Sequence, residues 1–185
     1  MDFFIPVILG TAREGRRTEA VARFVYADLK KRPAIESEFL DVRDFRLSAT
    51  DDREDTPLVK KYRGIIARAD GIIITSPEYN HGYPGELKMM LDMAYEEYAR
   101  KPVAIVGTGG GMGGVRAVEQ LRMVAIELRA VPILDAVYFS NVSKLFEESG
   151  VMRDQAVYEG RVAKMLDELI WYAAALKRAR EEKTP

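Results

Sequence analysis

Two polar loops carry the residues of this sequence that could bind a ligand. The first loop, residues 10–18, lies between an apolar run and a helical pattern. Amides at the start of a helix are unpaired and carry partial positive charge, so this loop can bind an anion such as a phosphate. Hydroxyl and guanidinium groups can add hydrogen bonds to that anion. In this loop the side chains with such groups are Thr11, Arg13, Arg16, Arg17 and Thr18.

The first loop also has a purely structural interpretation. Thr18 could cap the helix that follows it, as threonine often does, while the arginines extend into solvent. The loop alone does not distinguish this interpretation from anion binding.

The second loop follows an apolar run at residues 71–75 and begins with Ser76. A helical pattern then begins at Pro84. Proline is tolerated at the start of a helix, because the N–H that it lacks would have no helical partner there. Both loops leave the ends of buried strands, which is where open α/β sheets bind ligands. Together they predict a phosphate site beside a flat site of the size of a ring system.

A third segment, residues 107–114, contains six glycines. Gly109, Gly111 and Gly114 satisfy the pattern G-x-G-x-x-G, with Asp135 about twenty residues further on, which is the fingerprint of dinucleotide-binding sheets. The rest of the chain offers one more strand and one more helix, too little for the second half of such a sheet. The segment also lacks the G-K-[ST] of a P-loop. A flexible turn is the structural alternative.

The apolar pattern alternates between strand-like and helix-like runs along the whole chain. This alternation predicts an α/β fold, a doubly wound five-stranded parallel sheet of order 2-1-3-4-5 with helices on both faces. The first and second loops leave strands 1 and 3, which flank the switch point of that order. The strand runs are 3–9, 35–42, 71–75, 103–107 and 131–139, and the helix runs are about 18–31, 57–69, 84–99, 114–129 and 154–180.

Composition excludes several classes of function. The 185 residues predict one domain, residues 1–185. The absence of cysteine excludes disulfides, thiolate nucleophiles and cysteine-bound metals, and the single histidine makes a histidine-bound metal site unexpected. With a net charge of −1, the chain has no overall electrostatic attraction to nucleic acid or to anionic membranes. The first residues lack the features of a signal peptide, so we expect a cytoplasmic protein that binds neither nucleic acid nor membrane.

The two loops resemble those of the NADPH-dependent FMN reductases, a flavodoxin-like family that includes quinone, azo-dye and chromate reductases. Residues 10–13 fit the family pattern G-S-x-R, and residues 77–88 fit the more specific P-E-Y-N-x-x-x-P-G-x-L-K. The first loop departs from the pattern twice. Thr11 replaces the usual serine, and Arg16 stands where many members have serine, with Thr18 two positions later.

The resemblance implies FMN as cofactor and NADPH or NADH as reductant. It places the FMN phosphate in the first loop and the flavin ring against the second loop. The main chain of the second loop and the side chain of Asn80 would both contact the ring. The glycine segment would approach the pyrimidine edge of the ring. The implied cofactor-binding residues of these two segments are Pro77, Glu78, Tyr79, Asn80, Thr108, Gly109, Gly110 and Gly111.

Three side chains have competing interpretations under this resemblance. Three arginines exceed what one phosphate needs, so one hypothesis is that Arg16 or Arg17 binds the 2′-phosphate of NADPH. Glu78 could instead be a surface carboxylate that binds a neighbouring amide or a partner subunit. His81 is the only histidine and a candidate catalytic residue, but hydride transfer to a flavin depends on stacking and proximity. No catalytic residue is therefore assigned.

The resulting functional prediction is an FMN-dependent NAD(P)H oxidoreductase with a ping-pong mechanism and a small-molecule acceptor, such as a quinone, free flavin, azo compound or metal oxyanion. The alternative is a flavodoxin-type electron shuttle, and a third possibility is a regulatory module without flavin. A homodimer or a dimer of dimers is also implied. In such dimers the third helix lies near the partner, through a stripe formed by Leu87, Met90, Leu91, Tyr95 and Tyr98.

Overall fold

The structure is a computed structural model that describes residues 2–47, 56–147 and 151–182. Short parallel strands alternate with helices in the described part of the chain. The strands are β1 (Phe3–Phe4), β2 (Val7–Leu9), β3 (Ile35–Glu36), β4 (Phe39–Asp41), β5 (Ile72–Pro77), β6 (Pro102–Thr108), β7 (Val131–Pro132) and β8 (Val137–Phe139). The helices are α1 (Thr18–Lys30), α2 (Pro57–Arg68), α3 (Gly85–Leu91), α4 (Val115–Glu127), α5 (Val142–Leu145) and α6 (Gln155–Glu181).

A six-stranded parallel sheet forms the centre of the molecule. Its order is β4-β2-β5-β6-β7, and β8 also pairs with β6. In the register, Leu9 of β2 lies beside both Asp41 of β4 and Thr75 of β5. A separate parallel pair joins β1 and β3. The α/β architecture with a parallel sheet is as predicted, but the sheet has six strands rather than the predicted five. Its path passes in turn through the predicted runs 35–42, 3–9, 71–75, 103–107 and 131–139.

The strand count differs because three of the predicted runs are each divided in two. Pro6 separates β1 from β2, since proline has no N–H for the sheet ladder. Residues 37–38 separate β3 from β4, and residues 133–136 separate β7 from β8. The last interruption includes Leu134, which is 83% exposed and therefore does not continue a buried strand.

Helices cover both faces of the sheet, as the prediction required. Successive side chains of a strand point to opposite faces, so Ile8 and Ile74 pack with α2, α3 and α4, while Val7 and Ile73 pack with α1 and α6. Each face has a continuous cluster of buried apolar side chains. The helices on the two faces hold the sheet between them. The three polar segments leave the sheet at the carboxyl ends of β2, β5 and β6.

Two helices differ from the prediction. The run expected at 84–99 forms α3 only as far as Leu91, and a single 3₁₀ turn follows at Glu96–Tyr98. The stripe expected to face a partner subunit packs instead on the sheet, because only Tyr95 is exposed and its other four members are buried. The short helix α5 was not predicted, since four residues are too few to show a helical period. Among the described residues, no helix has both the length and the apolar character that a membrane span requires.

Candidate functional site

The three polar segments meet at the carboxyl edge of the sheet and enclose a cavity of about 270 Å³. Most residues predicted from the sequence to bind a ligand line this cavity. The exceptions are Thr11, Asn80, Gly110 and Gly111. The cavity is lined by Arg13, Glu14, Gly15, Arg16, Arg17, Thr18, Pro77, Glu78, Tyr79, Thr108, Gly109 and Val142.

The first loop presents unpaired backbone amides to this cavity. The N–H groups of residues 14–17 donate to no group in the described part of the chain. Gly15 has a φ of 65°, which allows the backbone to turn before α1. These residues line the cavity, so their unpaired amides lie close to the space that an anion would occupy.

Two hydroxyl pairs connect the first loop to the other segments. Thr11 Oγ1 lies 3.0 Å from the hydroxyl oxygen of Tyr79, and Thr18 Oγ1 lies 2.8 Å from Oγ1 of Thr108. The helix α1 begins at Thr18 after Arg17, whose side chain makes no capping bond. The interpretation of Thr18 as a helix cap is therefore wrong, because its hydroxyl joins two loops.

Arg16 is buried and uses all five N–H donors within the protein. Its guanidinium donates to both carboxylate oxygens of Asp41, to Oε2 of Glu19 through Nε and Nη2, and to the carbonyl of Thr11. Burial by itself lowers the pKa of Arg16, but the hydrogen bonds that it donates to Asp41 and Glu19 outweigh burial and raise that pKa above its ordinary value. The structure leaves Arg16 no donor for a phosphate, which argues against the hypothesis that Arg16 binds NADPH.

Arg13 and Arg17 have exposed guanidinium groups at the rim of the cavity. The Arg13 guanidinium carbon lies 5.6 Å from the centroid of the Tyr79 ring, a distance suited to a cation–π contact. Arg17 reaches across to α5, where Nη1 donates to the carbonyl of Ser143. Both side chains can therefore meet a charged ligand that extends out of the cavity.

The second loop contains a tight hairpin turn at residues 79–82. The N–H and carbonyl groups of Tyr79 and Gly82 bond reciprocally, at 2.8 and 3.1 Å. Asn80 and His81 between them have φ values of 49° and 70°, which is the left-handed pair of a type I′ turn. Both are exposed and lie outside the cavity lining, and the His81 carbonyl accepts from Gln120 Nε2 at 2.8 Å. The turn therefore places the only histidine at its outer tip.

Glu78 joins the second loop to the glycine segment and to α4. Its carboxylate accepts from the N–H of Arg116 at 3.0 Å and from Nη1 of Arg116 at 2.7 Å. Its own N–H donates to the carbonyl of Thr108 at 3.0 Å. Burial raises the pKa of Glu78, but the bonds from Arg116 outweigh it and lower that pKa below its ordinary value. Glu78 thus binds the main chain and the guanidinium of Arg116, 38 residues away in the sequence.

The glycine segment has a defined conformation at its end and free amides at its tip. Gly109 donates its N–H to the carbonyl of Phe139 at 3.2 Å. The amides of Gly110 and Gly111 donate to no group in the described residues, and both glycines are exposed. Gly114 has a φ of 87° and lies against Thr108. The segment therefore packs closely on Thr108 where it returns to α4.

Several residues that contact the first loop were not predicted from the sequence, and two of them hold it from β4 and the turn after it. Asp41 ends β4 and binds Arg16, and Arg43 donates to the carbonyls of Ala12 and Arg13. Neither belongs to a recognisable motif. The only signal was charge in the last residues of a predicted strand and directly after it, which is common at strand ends.

Comparisons with known proteins agree with one another. The family model described as NADPH-dependent FMN reductase matches residues 5–144. A Schizosaccharomyces pombe protein named NAD(P)H-dependent FMN reductase is 35% identical over 144 residues, which cover 71% of each chain. A Bacillus sp. strain OY1-2 protein named NADPH azoreductase is 32% identical over 142 residues, covering 71% of this chain and 76% of its own.

A solved structure has the same fold. It is FerB from Paracoccus denitrificans, described as a flavoenzyme NAD(P)H:(acceptor) oxidoreductase, and it matches with a TM-score of 0.75 at 20% identity. The match covers 92% of this chain and 98% of the FerB chain.

Proposed function

The chain belongs to the NADPH-dependent FMN reductase family, and from this premise we propose that it is an FMN-dependent NAD(P)H oxidoreductase that reduces a small-molecule acceptor. The observation that carries the proposal is the run of unpaired amides at residues 14–17, which line a cavity whose other side is formed by Pro77, Tyr79 and Thr108. FMN combines a phosphate with a flat ring, and the cavity offers a separate surface for each.

The residues of the cavity suit FMN in charge, and they leave room for its phosphate and its ring on different sides. Unpaired amides suit a phosphate dianion, and Arg13 at the rim adds positive charge. The ring would lie between the second loop and Thr108, with the free amides of Gly110 and Gly111 near its polar edge. When bound, FMN supplies the hydride-transfer chemistry, and the protein contributes binding and orientation.

No side chain of the cavity is assigned as a catalytic acid or base. His81 lies at the tip of the hairpin turn and outside the cavity lining. Glu78 is already bound to Arg116. We infer that the chain's role is to hold the ring with one face open, so that the reductant and the acceptor can each stack on it.

We propose a ping-pong sequence in which NAD(P)H and the acceptor use the same open cavity in turn. Quinones, free flavins, azo compounds and metal oxyanions are the acceptor classes that we propose, and several relatives are named for azo reduction. The expected result is a set of parallel lines in double-reciprocal plots of initial rate against NADPH at several acceptor concentrations. Intersecting lines would contradict alternate occupancy, because they require both substrates to bind together.

A flavodoxin-type electron shuttle is the alternative function. Such proteins are usually strongly acidic, whereas this chain has 28 basic and 29 acidic residues. A shuttle would bind FMN but would not accept hydride from NAD(P)H. A regulatory module that has lost flavin would bind no FMN at all, so binding and reduction together separate the three possibilities.

We propose that Arg17 binds the 2′-phosphate of NADPH. Arg16 has no free donor, whereas the exposed Arg17 lies at the rim and reaches Ser143. In R17A, the KM for NADPH should rise about tenfold, the loss of about 1.4 kcal/mol that one charge-assisted contact can supply. The KM for NADH should change little, because NADH lacks that phosphate. Steady-state kinetics with both reductants tests this.

The distant variant R32A is the matched control, since Arg32 pairs with Asp167 beyond the other end of α1. It should leave both KM values unchanged. An equal rise of KM for NADPH and NADH in R17A would contradict the assignment of Arg17 to the 2′-phosphate.

We further propose that residues 1–185 form one domain of a cytoplasmic protein that assembles as a homodimer or a dimer of dimers. Four of the five residues of the stripe expected to face a partner are buried in the core, so we propose another surface for the assembly. Met123, Ile126 and Leu134 are exposed apolar side chains on α4 and the loop after β7, and they offer such a surface. Size-exclusion chromatography with light scattering gives the mass, and a monomer would refute the assembly.

A further inference from the structure

Two arginines bind three successive carbonyl groups of the first loop. Arg16 Nη1 donates to the carbonyl of Thr11 at 2.6 Å. Arg43 donates through Nε to the carbonyl of Ala12 at 3.1 Å and through Nη2 to that of Arg13 at 2.8 Å. Arg43 is exposed and does not line the cavity. It therefore touches the back of the loop rather than the space that a ligand would fill.

Asp41 fixes both arginines to the sheet. Its Oδ1 accepts from the N–H of Arg43 at 2.9 Å and from Nη1 of Arg16 at 2.7 Å, and its Oδ2 accepts from Nη2 of Arg16. Asp41 is the last residue of β4 and pairs in register with Leu9, one residue before the loop begins. We call Asp41, Arg16 and Arg43 the carbonyl clamp.

The clamp fixes the orientation of the peptide groups that lead to the unpaired amides. In a trans peptide the carbonyl and the following N–H point in opposite directions. Holding the carbonyls of residues 11–13 therefore sets the direction of the N–H groups of residues 12–14. The N–H of Glu14 is the first of the unpaired amides that line the cavity. A loop set in this way loses less conformational freedom when it binds a ligand.

We propose that Arg43 is a positioning residue that, through the carbonyl clamp, presets the first loop for a phosphate monoester. This inference rests on the proposed function, because FMN is the ligand that supplies the phosphate. Arg43 touches neither the phosphate nor the ring, and its guanidinium acts through the two carbonyls that it binds. A planar fork with two donors is suited to this contact, whereas an ammonium group has no such geometry.

Binding of FMN and of riboflavin tests the proposal, because the two ligands share the ring and differ in the phosphate. For R43Q, the Kd for FMN should rise about tenfold, equivalent to about 1.4 kcal/mol, and the Kd for riboflavin should stay within about twofold of that of the wild type. The measurement is a titration followed by flavin fluorescence. Denaturant unfolding of the same variant should show a fold of nearly unchanged stability.

Two further variants separate positioning from charge. R43K keeps the positive charge but lacks the two-donor fork, so its affinity for FMN should fall as in R43Q. R32Q removes a surface arginine that pairs with Asp167 at 2.6 Å, away from the loop, and should bind FMN like the wild type. Full recovery of FMN affinity in R43K would overturn the clamp in favour of a general charge effect.

The remaining outcomes also decide the proposal. Unchanged FMN affinity in R43Q, or equal losses for FMN and riboflavin, would overturn it. If the wild type binds no FMN, the proposed function fails, and inorganic phosphate becomes the probe. Stabilisation of the wild type by phosphate that is lost in R43Q and R43K would then support the clamp, and no stabilisation of the wild type would overturn it as well.

Discussion

Gly114→Ala is expected to lower the free energy of unfolding by about 3 kcal/mol, at the upper end of the cost of a strained backbone residue. Gly114 has a φ of 87°, which an alanine rarely adopts. A Cβ at this position would also lie 2.8 Å from the carbonyl oxygen and 2.9 Å from the nitrogen of Thr108. Neither contact can be relieved by a side-chain rotation, because both involve backbone atoms.

The same substitution should weaken FMN binding. Thr108 holds the first loop through Thr18 and the second loop through the N–H of Glu78. A displaced Thr108 would therefore disturb both sides of the cavity. We expect the Kd for FMN to rise by at least about tenfold, measured by fluorescence titration under conditions in which the variant is folded.

Gly160→Ala and Gly64→Ala are matched controls for Gly114→Ala. Both glycines lie within helices, and a Cβ at either one meets nothing within 4 Å. Alanine is favoured over glycine in helices by roughly 0.5–1 kcal/mol, so these variants should be slightly more stable than the wild type. Denaturant unfolding measures the free energy of unfolding of the three variants. A Gly114→Ala variant as stable as its controls would contradict the close packing of the glycine segment on Thr108.

Asp41→Asn is expected to lower the free energy of unfolding by about 2 kcal/mol at neutral pH, less than the 3–5 kcal/mol of a fully broken buried pair. The Arg16 side chain is 3% exposed and depends on two carboxylates, Asp41 and Glu19. Replacing Asp41 removes one charged partner of Arg16 and leaves the other, Glu19. The loss of stability should therefore be smaller than that of a buried pair broken completely.

The effect of Asp41→Asn should depend on pH in a defined direction. Burial raises the pKa of Asp41, but the bonds from Arg16 and from the N–H of Arg43 outweigh it and hold that pKa below its ordinary value of 3.8. A carboxylate with a lowered pKa in the folded state stabilises the protein above the pKa of the unfolded state. This contribution is lost as the pH falls through the folded pKa.

Unfolding curves of the wild type and of Asp41→Asn at several pH values test this expectation. The difference in the free energy of unfolding between the two proteins should be largest at pH values above about 4, the ordinary pKa of an aspartate. It should shrink at lower pH. Asp167→Asn is the control, because its exposed pair with Arg32 should contribute no more than about 1 kcal/mol. If the difference in the free energy of unfolding grew larger toward acid pH, the assigned role of Asp41 would be contradicted.

The sequence predicted those parts of the fold that depend on local patterns. Buried strands appear as apolar runs, and the carboxyl ends of parallel strands meet at one edge, so the loops after β2, β5 and β6 could be placed side by side. The strand count could not be predicted, because the breaks at Pro6 and at residues 133–136 interrupt runs that look continuous. The apolar stripe on α3 has the same spacing whether it faces the sheet or a partner subunit.

Many site contacts could not be predicted, because they join residues that are distant in the chain. Arg16 was expected to bind a ligand, but it pairs with Asp41, whose position 25 residues away has no motif to reveal it. Arg43 binds a carbonyl 31 residues away, and Glu78 binds Arg116, 38 residues away. The sequence thus indicated where the ligand-binding loops lie, and the structure shows which side chains hold them.

The most direct test of the proposed function is the absorbance of protein-bound FMN under anaerobic conditions while NADPH is added. If the protein is an FMN-dependent NAD(P)H oxidoreductase, the absorbance of the bound oxidised flavin should be lost rapidly, and it should return when an acceptor such as a quinone is added. Bound flavin that stays oxidised in the presence of NADPH would contradict the reductase and favour the electron shuttle. Protein that binds no FMN at all would contradict the cofactor itself.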